Sequence, residues 1–294
     1  MSKSLKNNLS LRSLAGLGSS RRQARPRLAR LTACSFLLTC LASTALSAPV
    51  NWTGASGNWN VATNWSSNPS FPAAADDVTI SVAGLQTVTF TGTAPVTSAT
   101  VNSITSDENL TISGGSLTVT NGFGNTAATT ISGGALTLNG ASTLASLTQS
   151  GGSLAGTGTV TVTGASTITF GDHRGTGTTI LQGASTISSS GLRLDGGRTL
   201  RNESTLTWSG GGILFNNTFN GVSGGAGSGT INNIAGATFV ASGDFATTIN
   251  ASNFGGADTG ADALITNAGT FRKSGSSAGH TTTVDVAFNN TGTV

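Results

Sequence analysis

The sequence predicts an all-β protein, a β-solenoid of stacked parallel coils, and three observations carry that prediction. The first is a recurring phrase. It reads NLTISGGSLTVTNG from Asn109, ATTISGGALTLNG from Ala128 and LTQSGGSLAGTGTVTVTG from Leu147. Its Ser-Gly-Gly step falls at Ser113, Ser132 and Ser150, so it returns at nearly equal intervals. Periods near 20 in a Thr/Val/Ile/Gly sequence mark a solenoid, in which one supersecondary unit buries its apolar side against the next. The second observation is alternation. TVTF (87–90), LTVT (117–120), LTL (136–138), VTVT (160–163) and TITF (167–170) place apolar residues at every other position. A period of two sends Leu, Val, Ile and Phe to one face of a strand and Thr to the other. The third is composition. The 294 residues include 42 glycines, while charged residues make up only 9%. Disordered chains have the opposite bias, rich in charge and poor in strand formers. Short strands with frequent turns also suit a sandwich; the near-constant phrase favours a coil stacked on itself.

Residues 1–48 read as a bacterial export signal. Eight basic residues, from Lys3 to Arg30, precede an apolar run (31–46) that ends in small residues, with no acidic residue among them. That order of basic, apolar and small segments predicts cleavage between Ala45 and Pro49. The run is short for a membrane span and is followed by no stop-transfer charges. Arg21-Arg22 resembles a twin-arginine signal but lacks the apolar residues expected just behind it. Leu31-Thr32-Ala33-Cys34 has the form of a lipoprotein box, yet it opens the apolar run where such a box should end it. Cys34 and Cys40 are the only cysteines. The mature chain is therefore expected to hold neither disulfides nor thiolate metal sites.

Beyond the signal the balance reverses, to six basic and eleven acidic residues. A mildly acidic chain without a basic patch argues against nucleic acid as a partner. Residues 49–80 form a distinct segment. Three of the four tryptophans (Trp52, Trp59 and Trp65) stand here with Pro69 and Pro72. The first coil of a solenoid exposes a sheet edge and an apolar core end, and bulky aromatics can cover both. This segment is expected to be a cap; the alternative is an aromatic platform for sugars.

Residues 81–294 carry the repeats, with Gly, Asn and Ser in the turns because they tolerate positive φ. The alternation predicts that Leu117, Val119, Leu136, Leu138, Val160 and Val162 face inward and Thr118 and Thr161 outward. A phrase GAST-Leu/Ile starts at Gly140, Gly164 and Gly183, at unequal intervals. A Gly-Thr-apolar step near asparagines ends both TNAGTF (266–271) and NNTGTV (289–294). Gly-rich stretches at 216–230 and 252–262 are expected to be loops between coils, where solenoids often bind. FNNTGTV stops on a strand-forming step with no visible cap, so the sequence is expected to continue past Val294 and to self-associate end to end.

No residue is assigned to catalysis, to a cofactor or to a metal. The two histidines, His173 and His280, and many serines define no nucleophile constellation. SGGAGSGT (223–230) lacks the lysine and following helix of a phosphate loop. One charged cluster stands out: Asp172, His173 and Arg174, then Arg193, Asp195 and Glu203. Asp172 and Arg193 are separated by about one coil, and so are Arg174 and Asp195. Stacking would then form a surface ion ladder that fixes register. A carboxylate pair for polysaccharide cleavage is the chemical alternative. Asp76-Asp77 and Asp258/Asp262 offer loop oxygens suited to Ca²⁺ without a dense calcium repeat. Thr-x-Thr steps recur as on an ice-binding face, but their spacing drifts along the sequence.

Trp52-Thr53-Gly54-Ala55, Gly57-Asn58-Trp59, Asn64-Trp65 and Asp76-Asp77-Val78-Thr79-Ile80 resemble the opening of large exported bacterial repeat proteins, the autotransporter-type adhesins and PEP-CTERM surface proteins. NNTGTV resembles their repeats. The resemblance covers roughly residues 50–294 and implies a right-handed parallel β-helix, an extracellular or outer-surface location of a Gram-negative type, and adhesive or matrix roles on glycan or host surfaces. This chain departs from the pattern in showing no membrane barrel or sorting tail.

Overall fold

A computed structural model of the chain describes residues 49–217, 227–243, 247–275 and 281–294. The expected export signal with Cys34 and Cys40 lies outside these residues, as do His280 and the middle of the Gly-rich stretch after Asn216. The described residues are all-β, with many parallel strands and a β-helix-like arrangement. The one helical element among them is a single 3₁₀ turn, Ala62–Asn64.

The chain winds repeatedly through three parallel sheets, in the same order on each pass. The strand Ser116–Ile131 shows the rule within one element. Its start pairs with Ala135–Leu138 in the third sheet, its middle with Ala141–Leu144 in the first, and its end with Ser146–Gln149 in the second. In the first sheet Ile104, Phe123, Ser142, Val160, Thr179 and Leu200 stand above one another. The coils between these residues are short and nearly equal, the period of about 20 expected of a solenoid. Two much longer coils follow, reaching Ile231 and then Ile265 in the same column. Their extra length carries the Gly-rich stretches that the sequence suggested as loops.

Alternation does what the strand period requires. Leu117, Val119, Leu136, Leu138, Val160 and Val162 are all buried, at 0–1% exposure. Thr118 and Thr161 lie half-buried on the outer face. Burying one such Leu or Val is worth about 1.5–3 kcal/mol. The inner ranks close into one continuous apolar core from Val50 to Phe271.

The Ser-Gly-Gly phrase marks a true coil corner. Ser113, Ser132 and Ser150 each donate a backbone N–H to the residue that ends the second-sheet strand one coil below (Phe90, Ile112 and Ile131), at 2.9 Å. Glycine is needed there twice over. Gly134 sits at φ 61°, and a Cβ on Gly133 would lie 2.4 Å from the Ser113 carbonyl oxygen. The GAST phrase behaves differently. Its first copy opens a first-sheet strand ending at Leu144, whereas its later copies open second-sheet strands at Ile168 and Ile187. One phrase therefore serves two sides of the coil, which explains its irregular spacing.

The first coil is closed. Trp52, Trp59 and Trp65 are buried at 0–2% exposure, with ring centroids 4.9 and 4.6 Å apart in edge-to-face contacts. The chain turns back at the 3₁₀ turn, and Trp65 bridges Trp52 in the antiparallel sense. Thr53 donates to the Asn64 carbonyl at 2.8 Å, and Ser66 donates to the Asn51 carbonyl at 2.9 Å. The returning segment thereby bonds along the outer edge of Pro49–Asn51.

Candidate functional site

The charged cluster has the register that its spacing predicts. Asp172 stacks against Arg193, and Arg174 against Asp195, in the third sheet. Its setting differs from the surface ladder expected. Asp172 is 5% exposed, and Asp195 and His173 are fully buried. The Arg193 guanidinium lies 4.6 Å above the Phe170 ring, and Arg174 donates to Ser153 Oγ at 3.1 Å. Asp195 accepts the Gly196 N–H at 2.7 Å, in a turn held down by a 2.9 Å bond from Gly197 N–H to the Gly227 carbonyl. Glu203 stands apart and forms an ion pair with Arg201 at 2.6 Å beside the first sheet. Such a pair contributes about 0–1 kcal/mol.

His173 belongs to the interior. In its rank the neighbours above and below are Leu194 and Leu154. Its Nε2 lies 2.8 Å from Gln149 Oε1, and its Nδ1 lies 3.5 Å from Thr179 Oγ1. Thr179 Oγ1 accepts bonds from Arg198 Nε at 3.2 Å and Nη2 at 2.8 Å. Arg198 Nη1 donates to the Gly156 carbonyl at 3.2 Å. The donors line up in one direction: Arg198 to the Thr179 hydroxyl, that hydroxyl to His173 Nδ1, and His173 Nε2–H to Gln149. The chain ends where Gln149 Nε2 donates to the Gly152 carbonyl at 3.3 Å. Only glycine at 177 leaves room for this, since a Cβ there would lie 2.6 Å from Arg198 Nη1.

Burial sets the charges in this wire. It pushes His173 down to about 3, assisted by the nearby Arg198 cation. Burial also lowers Arg198 to about 10. His173 is thus neutral near pH 7, and Arg198 rests its charge on the Thr179 hydroxyl and the Gly156 carbonyl. Neither opens to a groove. A cavity of about 410 Å³ lies at the C-terminal end, lined by Phe271, Val284 and Phe288, and another of about 260 Å³ lies beside Glu108. None of the cluster residues lines either one.

The remaining candidates bond to nearby protein groups. Asp76 accepts the Ala73 N–H at 2.8 Å, and Asp77 accepts from Asn102 Nδ2 at 2.7 Å. The Asp262 carboxylate takes the Ser228 hydroxyl and the Ser228 N–H, and these bonds hold it below the usual carboxylate range. Among the described residues no group of three or more His, Cys, Asp and Glu gathers as metal ligands. The aromatic platform for sugars is not formed, because all four tryptophans are buried.

A feature beyond the sequence reading is an asparagine ladder. Asn202, Asn233, Asn267 and Asn290 stand in one column of the first sheet. Each Nδ2 donates to the Oδ1 of the next, at 2.8, 2.7 and 2.6 Å. Each inner member also bonds a carbonyl of the following corner, as Asn233 does to Thr270 at 3.0 Å. The signal was present in the asparagines beside the Gly-Thr-apolar steps. Their phase against the coil was what the spacing of two copies could not give.

In comparison with known proteins, the chain matches no family model, no curated protein and no solved structure. No helix among the described residues is long and apolar enough to cross a membrane.

Proposed function

We propose that this chain is a non-catalytic, exported rod: a right-handed parallel β-solenoid at a bacterial cell surface, with a structural or adhesive role. The observation that carries this reading is where the chemistry-bearing residues point. Asp195, His173 and Arg198 are fully buried within the coil stack. A hydrolase of this kind needs two carboxylates flanking an open groove. A rod needs its polar interior groups hydrogen-bonded and its flanks repetitive, so that many weak contacts add up on an extended partner. Glycan or matrix surfaces are the partners this reading expects.

The test is export followed by assay. Protein recovered from the surface of an expressing bacterium should begin between Leu46 and Val50 by mass spectrometry. It should adhere to glycan-coated or matrix-coated surfaces and release no reducing sugar from polysaccharides. Sugar release that is lost in Asp172→Asn and Asp195→Asn would overturn the non-catalytic reading. Retention of residues 1–48 on cytoplasmic protein would overturn export.

A further inference from the structure

The second sheet carries a rank of threonines that the sequence spacing conceals. Thr89, Thr111, Thr130, Thr148, Thr167, Thr186 and Thr207 stack one above another over seven consecutive coils. Their separations in sequence are unequal. The variation is absorbed outside this face. The register shift between Asn125 and Ala128 precedes the threonine rank, and the one between Ile168 and Phe170 follows it, at Thr169. The drift that argued against an ordered threonine face therefore disappears on folding.

A second hydroxyl rank runs beside the first. Two residues after each threonine stands Thr91, Ser113, Ser132, Ser150, Thr169, Ser188 or Ser209, most of them at the corner just past the strand's end. Ser113, Thr169 and Ser209 donate back to the carbonyl one coil below at 3.3–3.4 Å, which pins the rank to the sheet. The first-rank threonines are half-buried or exposed on the outer face, with Thr148, Thr167 and Thr186 the most open. No charged residue interrupts either rank from Thr89 to Ser209. The other faces are not like this. The matching first-sheet column includes Gly124, Ile180 and Arg201, and the third-sheet column includes Asp172 and Arg193.

We propose that this face binds the ordered water lattice of ice. Adjacent coils repeat at about 4.8 Å. In tetrahedral water with O···O bonds of about 2.8 Å, next-nearest oxygens lie about 4.6 Å apart. The mismatch along the rank is small, so successive hydroxyls fall close to successive lattice positions over roughly 29 Å of sheet. Threonine suits the task because its β-branched side chain is stiff at χ1, which holds each hydroxyl and methyl in one orientation. A charge would order its own hydration shell and disrupt the match, and none is present. With no exposed tryptophan, the face also lacks the stacking surface that would favour a sugar polymer.

The face would act in the same way whether or not the rod is an adhesin. The experiment is to freeze and melt single ice crystals in solutions of the purified full chain. A gap between melting and freezing points that widens with protein concentration, with faceted crystals, is the expected result. Thr148→Lys/Thr167→Lys should abolish the gap while leaving the β-sheet circular dichroism and melting temperature near those of the parent. Thr143→Lys/Thr161→Lys, on the first sheet, should leave the gap unchanged. If the double second-sheet variant loses its β spectrum, the single variant Thr167→Lys reads the same effect. A folded parent without a freezing gap overturns the proposal, as does equal loss from both faces. Retention on crystalline cellulose through the second sheet, without any effect on ice, also overturns it and assigns the face to a sugar polymer.

Discussion

The first and the last described coils cover the core in different ways. At the N-terminal end, Trp52, Trp59 and Trp65 fill the core, and the returning segment pairs with the outer edge of Pro49–Asn51. At the C-terminal end of the described residues, Phe271 stacks on Phe239 with centroids 4.8 Å apart, and Phe288 covers Phe271 only edge-on at 5.3 Å. Phe288 and Val284 are half-buried, and Val294 is 76% exposed. Closing an end takes residues that break the repeat; continuing it takes only residues that obey it. In a stack where each coil contacts its neighbours, end stability is local. The first coil is packed under its own aromatics, whereas the last described coil carries its apolar side chains half-exposed.

Substitutions at the two ends test this directly. Trp59→Ala should cost about 3–5 kcal/mol, because it hollows a fully buried aromatic cluster. Phe288→Ala should cost far less, since its ring is already half in water. Urea unfolding of both variants measures the difference; equal costs would contradict the asymmetry.

The next contrast is in pH. Burial lowers His173 to about 3 from its ordinary 6.5, so the unfolded chain binds the proton first as pH falls. Stability contributed by neutral His173 is complete above pH 6.5 and is lost progressively from there down to about pH 3. His173→Gln keeps a partner for Gln149 and cannot titrate. The difference in melting temperature between parent and variant should therefore shift in favour of the variant between pH 6.5 and 4. Parallel curves across that window would place His173 in water.

Smaller effects should separate the middle of the asparagine ladder from its end. Asn233→Ala removes one rung from both neighbours inside the core and should cost about 1–3 kcal/mol. Asn290→Ala, exposed and bonded on one side, should cost less, and hydrogen exchange at 264–294 should change more than at 109–131. Smallest of all, Thr161→Lys on the outer face should alter stability by no more than about 0.5 kcal/mol.

Much of this molecule is written locally. Alternation fixes which side of Leu117, Leu136 and Val160 is buried, because successive side chains in a strand must point oppositely. Glycine pairs such as Gly133-Gly134 fix corners, because a side chain there would strike the coil below. The tryptophan-rich opening stands apart because it departs from the repeat. The sequence alone could not decide how many residues each corner absorbs. That number determines which residues share a column. It turns irregular spacings into an unbroken threonine rank, aligns Asn202, Asn233, Asn267 and Asn290 into a ladder, and uses one GAST phrase on two different sheets. It also carries Asp172, His173 and Asp195 from an expected surface ladder into the buried part of the stack. Strand direction is a property of neighbouring residues, whereas column membership is a sum over every corner in between, and only the folded stack evaluates that sum.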